Sequence, residues 1–126
     1  MNFNKKRPVF LDLLKIDMPA TAILSIGHRI SGILLFLSIP FFLYLFDLSL
    51  ASEDGFDQAR SILNQGFIKF LCVMLLWGLI HHLLAGIRFL LLDIHIGMNK
   101  QAASKSAWFV HVTEIVSLLI AVFILL

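Results

Sequence analysis

The sequence predicts an all-α integral membrane protein with three transmembrane helices and a cytoplasmic amino terminus. Three observations carry this expectation. The 126-residue chain is 60% hydrophobic and 14% charged, against roughly 45–50% and ~25% in soluble domains. It holds three apolar runs long enough to cross a hydrocarbon layer about 30 Å thick, which takes ~20 helical residues. Its basic residues gather on one side of these runs and its acidic residues on the other, and Lys/Arg excess marks the cytoplasmic face.

Taken in order, the chain opens with Lys5, Lys6, Arg7 and Lys15, a basic segment expected inside. The first span covers residues 21–48. Backbone groups in lipid must pair within their own segment, so this run and the two that follow should all be helices. Pro19 suits the first helical turn, where its missing N–H matters least, whereas Pro40 lies in the interior and should kink the helix. The next connector carries Asp47, Glu53, Asp54 and Asp57 against Arg60, which places it outside. Within it Asp54-Gly55 marks a turn without calcium-loop spacing. The second span covers 67–92, the connector 94–106 brings Lys100 and Lys105 back inside, and the third span covers 107–126. Residues 1–126 are expected to form a single membrane domain, without repeat or soluble module, that ends outside.

Composition also bounds function. A net charge of +2 is too small to suggest nucleic acid as a partner. Cys72, the single cysteine, excludes a disulfide within the chain and any CxxC motif. The amino terminus shows neither a cleavable signal nor a transit peptide, which favours a bacterial inner membrane.

Ionisable groups at membrane depth cost about 2.5–3.5 kcal/mol each on insertion scales, so they point to function. On the second span Gly78, His82 and Gly86 recur every four residues and share one helical face. An imidazole between two glycines stands in a shallow groove, where a flat macrocycle could lie close to the backbone with its iron on the ring nitrogen. The same glycines could instead admit a neighbouring helix. His81 points about 100° away, toward Ala85 and Arg88, which suits a contact with a neighbouring helix or with a cofactor edge.

On the first span "SIGHRISG" places Ser25, Arg29 and Gly32 on one face, with His28 beside it. At ~1.5 Å per residue, Arg29 lies about 15 Å from Pro19 and His82 about 16 Å from Asp93, so the two sites share one depth. A hydroxyl and a guanidinium on one stripe can donate to a quinone carbonyl or a propionate. The bland alternative has Arg29 reaching lipid phosphate and Ser25 bonding its own backbone. Arg88 and Asp93 are expected as headgroup anchors at the inner end of the second span. His111 and Glu114, three apart on the third, suit a local polar pair, and Trp108 suits the interface.

Together, Arg7-Pro8, Ser25-Ile26-Gly27-His28-Arg29-Ile30-Ser31-Gly32, His82-Leu83-Leu84-Ala85-Gly86-Ile87-Arg88 and Asp93 resemble the cytochrome b membrane-anchor subunits of succinate dehydrogenase. The motifs S-x-x-H-R-x-S-G and H-x-x-x-G-I-R fall in family order on the first two of three helices. The resemblance implies haem b held between this chain and a second small anchor subunit, each giving one axial histidine, here His82. It implies that Ser25 and Arg29 help bind ubiquinone as substrate, and that His28 and Arg29 lie near the haem propionates. It also implies a flavoprotein and an iron-sulfur subunit docked on the inner face, so that this chain would not touch succinate. Phe89, where bacterial relatives often have histidine, and Glu114 depart from the family pattern. A haem-free structural anchor is the alternative function, and a site with both axial ligands in this chain, His28 and His82, is the alternative geometry.

Overall fold

The computed structural model describes residues 18–125. These form four helices, α1 (Ala20–Ala51), α2 (Glu53–Leu63), α3 (Gly66–Asp93) and α4 (Lys100–Leu125), with no strand among the described residues. Three of them, α1, α3 and α4, are long and apolar enough to cross a membrane. Lys5, Lys6, Arg7, Pro8 and Lys15, on which the cytoplasmic placement of the amino terminus partly rests, lie outside the described residues.

Pro19 sits just before the first helical turn, as the N-cap of α1 with extended backbone, and its carbonyl accepts from the Ala22 and Ile23 amides at 2.9 and 3.2 Å. α1 then continues through Pro40 to Ala51.

Two connectors differ from expectation. The acidic connector is largely helical: α2 starts where Ser52 caps it, its side chain accepting from the Gly55 amide at 3.0 Å, with Glu53 and Asp54 in the first turn favouring the positive end of the helix dipole. Asp54-Gly55 is therefore inside a helix and not at a turn. Gly55 is buried there because a Cβ would stand 2.3 Å from the Leu48 carbonyl of α1. Glycine lets α2 fold back tightly on the end of α1.

The connector after α3 is also shorter than 94–106, because α4 starts at Lys100, with Asn99 Oδ1 accepting from the Ala102 amide at 2.7 Å. α3 itself stops in a Schellman arrangement: the Ile96 amide bonds the Leu91 carbonyl and the His95 amide the Leu92 carbonyl, both at 2.9 Å. His95 takes the left-handed conformation this needs, at φ 66°. The polar residues from Lys100 to Ser106 thus add two turns to the third span.

α3 packs against α1 on one side and α4 on the other, and α1 also touches α4. Because lipid tails are as apolar as leucine, helices in a membrane associate through close packing and polar contacts. The buried residues reflect this: Leu24, Ala85, Ala107 and Val110 form a narrow seam, whereas Phe36, Leu37, Leu90 and Phe109 face outward.

Arg88 departs from the expected headgroup anchor. It is 5% exposed, its Nε donates to Ser106 Oγ at 2.9 Å, and its Nη2 donates to the Ala103 carbonyl at 3.0 Å. The early start of α4 explains this, since Ala103 and Ser106 belong to the turns that extend the third span toward Arg88. Asp93, by contrast, is exposed. Replacing Arg88 with methionine keeps a long side chain but removes both ties. Charge-assisted hydrogen bonds are worth about 1.5–3 kcal/mol, so Arg88→Met should lower the thermal midpoint of the detergent-solubilised protein by that order of stability. An unchanged midpoint would show that α3 and α4 do not depend on the guanidinium.

Candidate functional site

One stripe of α1 offers three carbonyls a turn apart, those of Ala20, Leu24 and His28, and each meets an imidazole from another helix. His111 Nε2 lies 3.5 Å from the Ala20 oxygen, His81 Nε2 lies 3.4 Å from Leu24, and His82 Nδ1 lies 3.2 Å from His28. A helical carbonyl spends one lone pair on its own ladder and keeps a second. Since a carbonyl can only accept, these ring nitrogens carry the proton.

For His82 this fixes the tautomer. Its Nδ1–H is shared between the His28 carbonyl and Ser31 Oγ, each at 3.2 Å, while Ser31 itself donates to the same carbonyl at 2.9 Å. The Nε2 of His82 keeps its lone pair, and no described residue bonds it. The His28 ring stacks on His82, centroids 4.1 Å apart and planes within 8°, and Phe89 meets His28 edge-on at 5.3 Å. Stacking occupies a face of the imidazole, whereas the coordinating lone pair lies in the ring plane. His82 is thereby oriented without being blocked. Face-to-face rings do not converge on one iron, so this arrangement does not favour a site with both axial ligands from this chain.

The glycines admit this contact. Gly78 faces Ser31, whose Cβ would be 3.8 Å from an added methyl, and Gly86 faces His28, whose Nε2 would be 3.4 Å away. The face carrying Gly78, His82 and Gly86 therefore packs against α1 and is not an open groove. Small residues on both helices allow the approach, and α1 contributes Gly27 and Gly32. A Cβ at Gly27 would stand 2.6 Å from His81 Nε2, and one at Gly32 would stand 3.1 Å from His82 Cε1.

His81, 2% exposed, contacts both neighbouring helices, bonding Glu114 of α4 through Nδ1 and Leu24 of α1 through Nε2. Glu114, 6% exposed, also takes His111 Nδ1 at 3.2 Å. The sequence pointed to the pair within α4. It did not show the bond between helices, although a carboxylate in an apolar helix signals that a partner must exist. Ser31, fully buried, is a small residue whose burial its neighbours in the motif do not signal.

The structure thus brings His28 and His82 together. Ser25 is half-buried and Arg29 exposed, one turn apart on α1 and outside the imidazole contacts. Among the described residues, His81, His111 and Glu114 form a group whose ligand atoms lie within 4.8 Å of one another, and His82 offers Nε2.

Comparison with known proteins agrees with the helix pattern. The family described as succinate dehydrogenase/fumarate reductase transmembrane subunit matches residues 3–121. The succinate dehydrogenase cytochrome b556 subunit of Coxiella burnetii is 40% identical over 119 residues, covering 94% of this chain and 95% of that protein. The b556 subunit of Rickettsia felis is 31% identical (87% and 86% covered), and the b560 subunit of Porphyra purpurea is 30% identical (83% and 86% covered). With its length matched almost throughout, and with three apolar helices long enough to cross a membrane, the chain belongs to the cytochrome b membrane-anchor family of succinate dehydrogenase.

Proposed function

We propose that this chain would hold haem b through His82 Nε2 together with a histidine from a second small anchor subunit, and would help form the ubiquinone site of a bacterial succinate dehydrogenase. The observation that carries the reading is the fixed tautomer of His82. Metal-bound histidines characteristically donate their other ring N–H to a carbonyl, carboxylate or water, which orients the ring and raises its basicity. His82 has this pattern, with its Nδ1–H on the His28 carbonyl and Ser31. The names of the cytochrome b556 relatives support the same cofactor.

The haem, when bound, supplies the one-electron chemistry. His82, its Nδ1–H held by the His28 carbonyl and Ser31, would orient it. His28 and Arg29 lie one and two residues beyond Gly27 on α1 and would face the propionates, with the guanidinium donating to carboxylate oxygens. Ser25 and Arg29, a turn apart, would donate to a quinone carbonyl, and Arg29 stays charged as negative charge develops on the oxygen. Placement near the cytoplasmic side of a bacterial inner membrane gives the quinone access to protons from water. Electrons would arrive from succinate through the flavoprotein and iron-sulfur subunits docked on that side. The competing reading is a haem-free anchor in which His82 only joins helices, and the lone pair left on Nε2 favours ligation over it.

In the assembled complex, His82→Ala should abolish the reduced-minus-oxidised b-type bands, and unchanged haem content would exclude His82 as the ligand. Ser31→Ala should keep the bands but shift the midpoint potential, because the His82 N–H loses one of its two acceptors. Potentiometry that finds no shift would remove Ser31 from the site. Arg29→Ala and Ser25→Ala should cut succinate-driven quinone reduction about tenfold or more, as expected for losing a hydrogen bond worth ~1.5–3 kcal/mol. Succinate oxidation by an artificial acceptor should be unaffected, and equal loss of both activities would argue against a local quinone role.

A further inference from the structure

About 100° around α3 from His82, His81 meets His111 and Glu114 of α4. His81 and His111 both turn Nε2 outward to α1 carbonyls, at 3.4 and 3.5 Å, so those nitrogens carry the protons. The inward Nδ1 of a neutral ring then bears a lone pair. Both Nδ1 atoms face the carboxylate of Glu114, His81 on Oε2 and His111 on Oε1 at 3.2 Å. An ionised carboxylate also presents lone pairs only. Three electron-rich groups thus converge where His81 is 2% and Glu114 6% exposed.

We propose that His81 Nδ1, His111 Nδ1 and a Glu114 oxygen form a divalent-cation site, for which zinc is the best match. Two imidazoles and one carboxylate are a recurrent zinc donor set with a fourth position open. Magnesium and calcium prefer all-oxygen shells. The outward hydrogen bonds are the second independent sign, since both histidines already give their remaining N–H to a backbone carbonyl, as metal-bound histidines do. His111, with a side chain 17% exposed, leaves a route from the surface. The ion would then tie α3 to α4 beside the first turns of α1 and hold the rotation of α3 that presents His82 on the adjacent position.

The test is metal analysis of the intact complex, equilibrated with Zn2+ and freed of loose metal by gel filtration. Wild type should retain one zinc per copy of this chain, falling at least tenfold in Glu114→Gln and His111→Gln while both variants elute as the assembled complex. The zinc absorption edge of wild type should report nitrogen and oxygen neighbours at about 2.0–2.1 Å with imidazole scattering. Trace zinc in wild type, or equal zinc in wild type and variants, would overturn the site. If neither variant assembles, the wild-type edge decides: a sulfur shell, or oxygen without imidazole, rejects the proposal.

Discussion

The contact on which the rest of the structure depends is the close approach of α1 to α3, where imidazoles reach the second lone pairs of α1 carbonyls. His81 and His82 are neighbours in sequence yet meet carbonyls one helical turn apart, Leu24 and His28. Neighbouring side chains on α3 point about 100° apart, so both can be satisfied only at one rotation of α3 and one separation from α1. The separation requires small residues on both sides: Gly27 under His81, Gly32 under His82, Gly86 under His28. Once this geometry is set, the tautomer of His82 follows, and with it the lone pair available to a metal.

Polar groups placed between lipid-facing helices are costly when unpaired, and this chain pairs them. No buried side-chain nitrogen or oxygen among the described residues lacks a partner. Arg88 is tied to the first turns of α4, Glu114 to two histidines and Ser31 to His28 and His82. These bonds do what apolar burial does in a soluble domain. The seam of Leu24, Ala85, Ala107 and Val110 is thin, and lipid offers little hydrophobic gain for bringing helices together. Histidine, arginine and glutamate therefore serve as joints of the bundle.

Much of this was legible in the sequence because membrane spans are set by length and apolarity alone. The three long helices fall where the apolar runs lie, and the local pair of His111 with Glu114 followed from spacing. α2 was hidden because its composition is polar and Gly55 suggests a turn; its signals were Ser52 as a cap, acidic residues in the first turn and the Phe56, Ala59, Leu63 spacing. The early start of α4 was hidden by lysines and serines, and with it the fate of Arg88, whose partners lie in those added turns. Periodicity placed Gly78, His82 and Gly86 on one face, but not what covers that face. The link from His81 to Glu114 joins positions 33 apart, and a single sequence carries no signal for such a pairing beyond the presence of a carboxylate that must be satisfied.

The most direct test is a density map of the assembled complex at a resolution that shows ring orientation. Iron bonded to His82 Nε2, with Nδ1 within hydrogen-bond reach of the His28 carbonyl and Ser31, is the expected result. A porphyrin held by His28, His81 or His111, or a His82 ring with no macrocycle beside it, would contradict it.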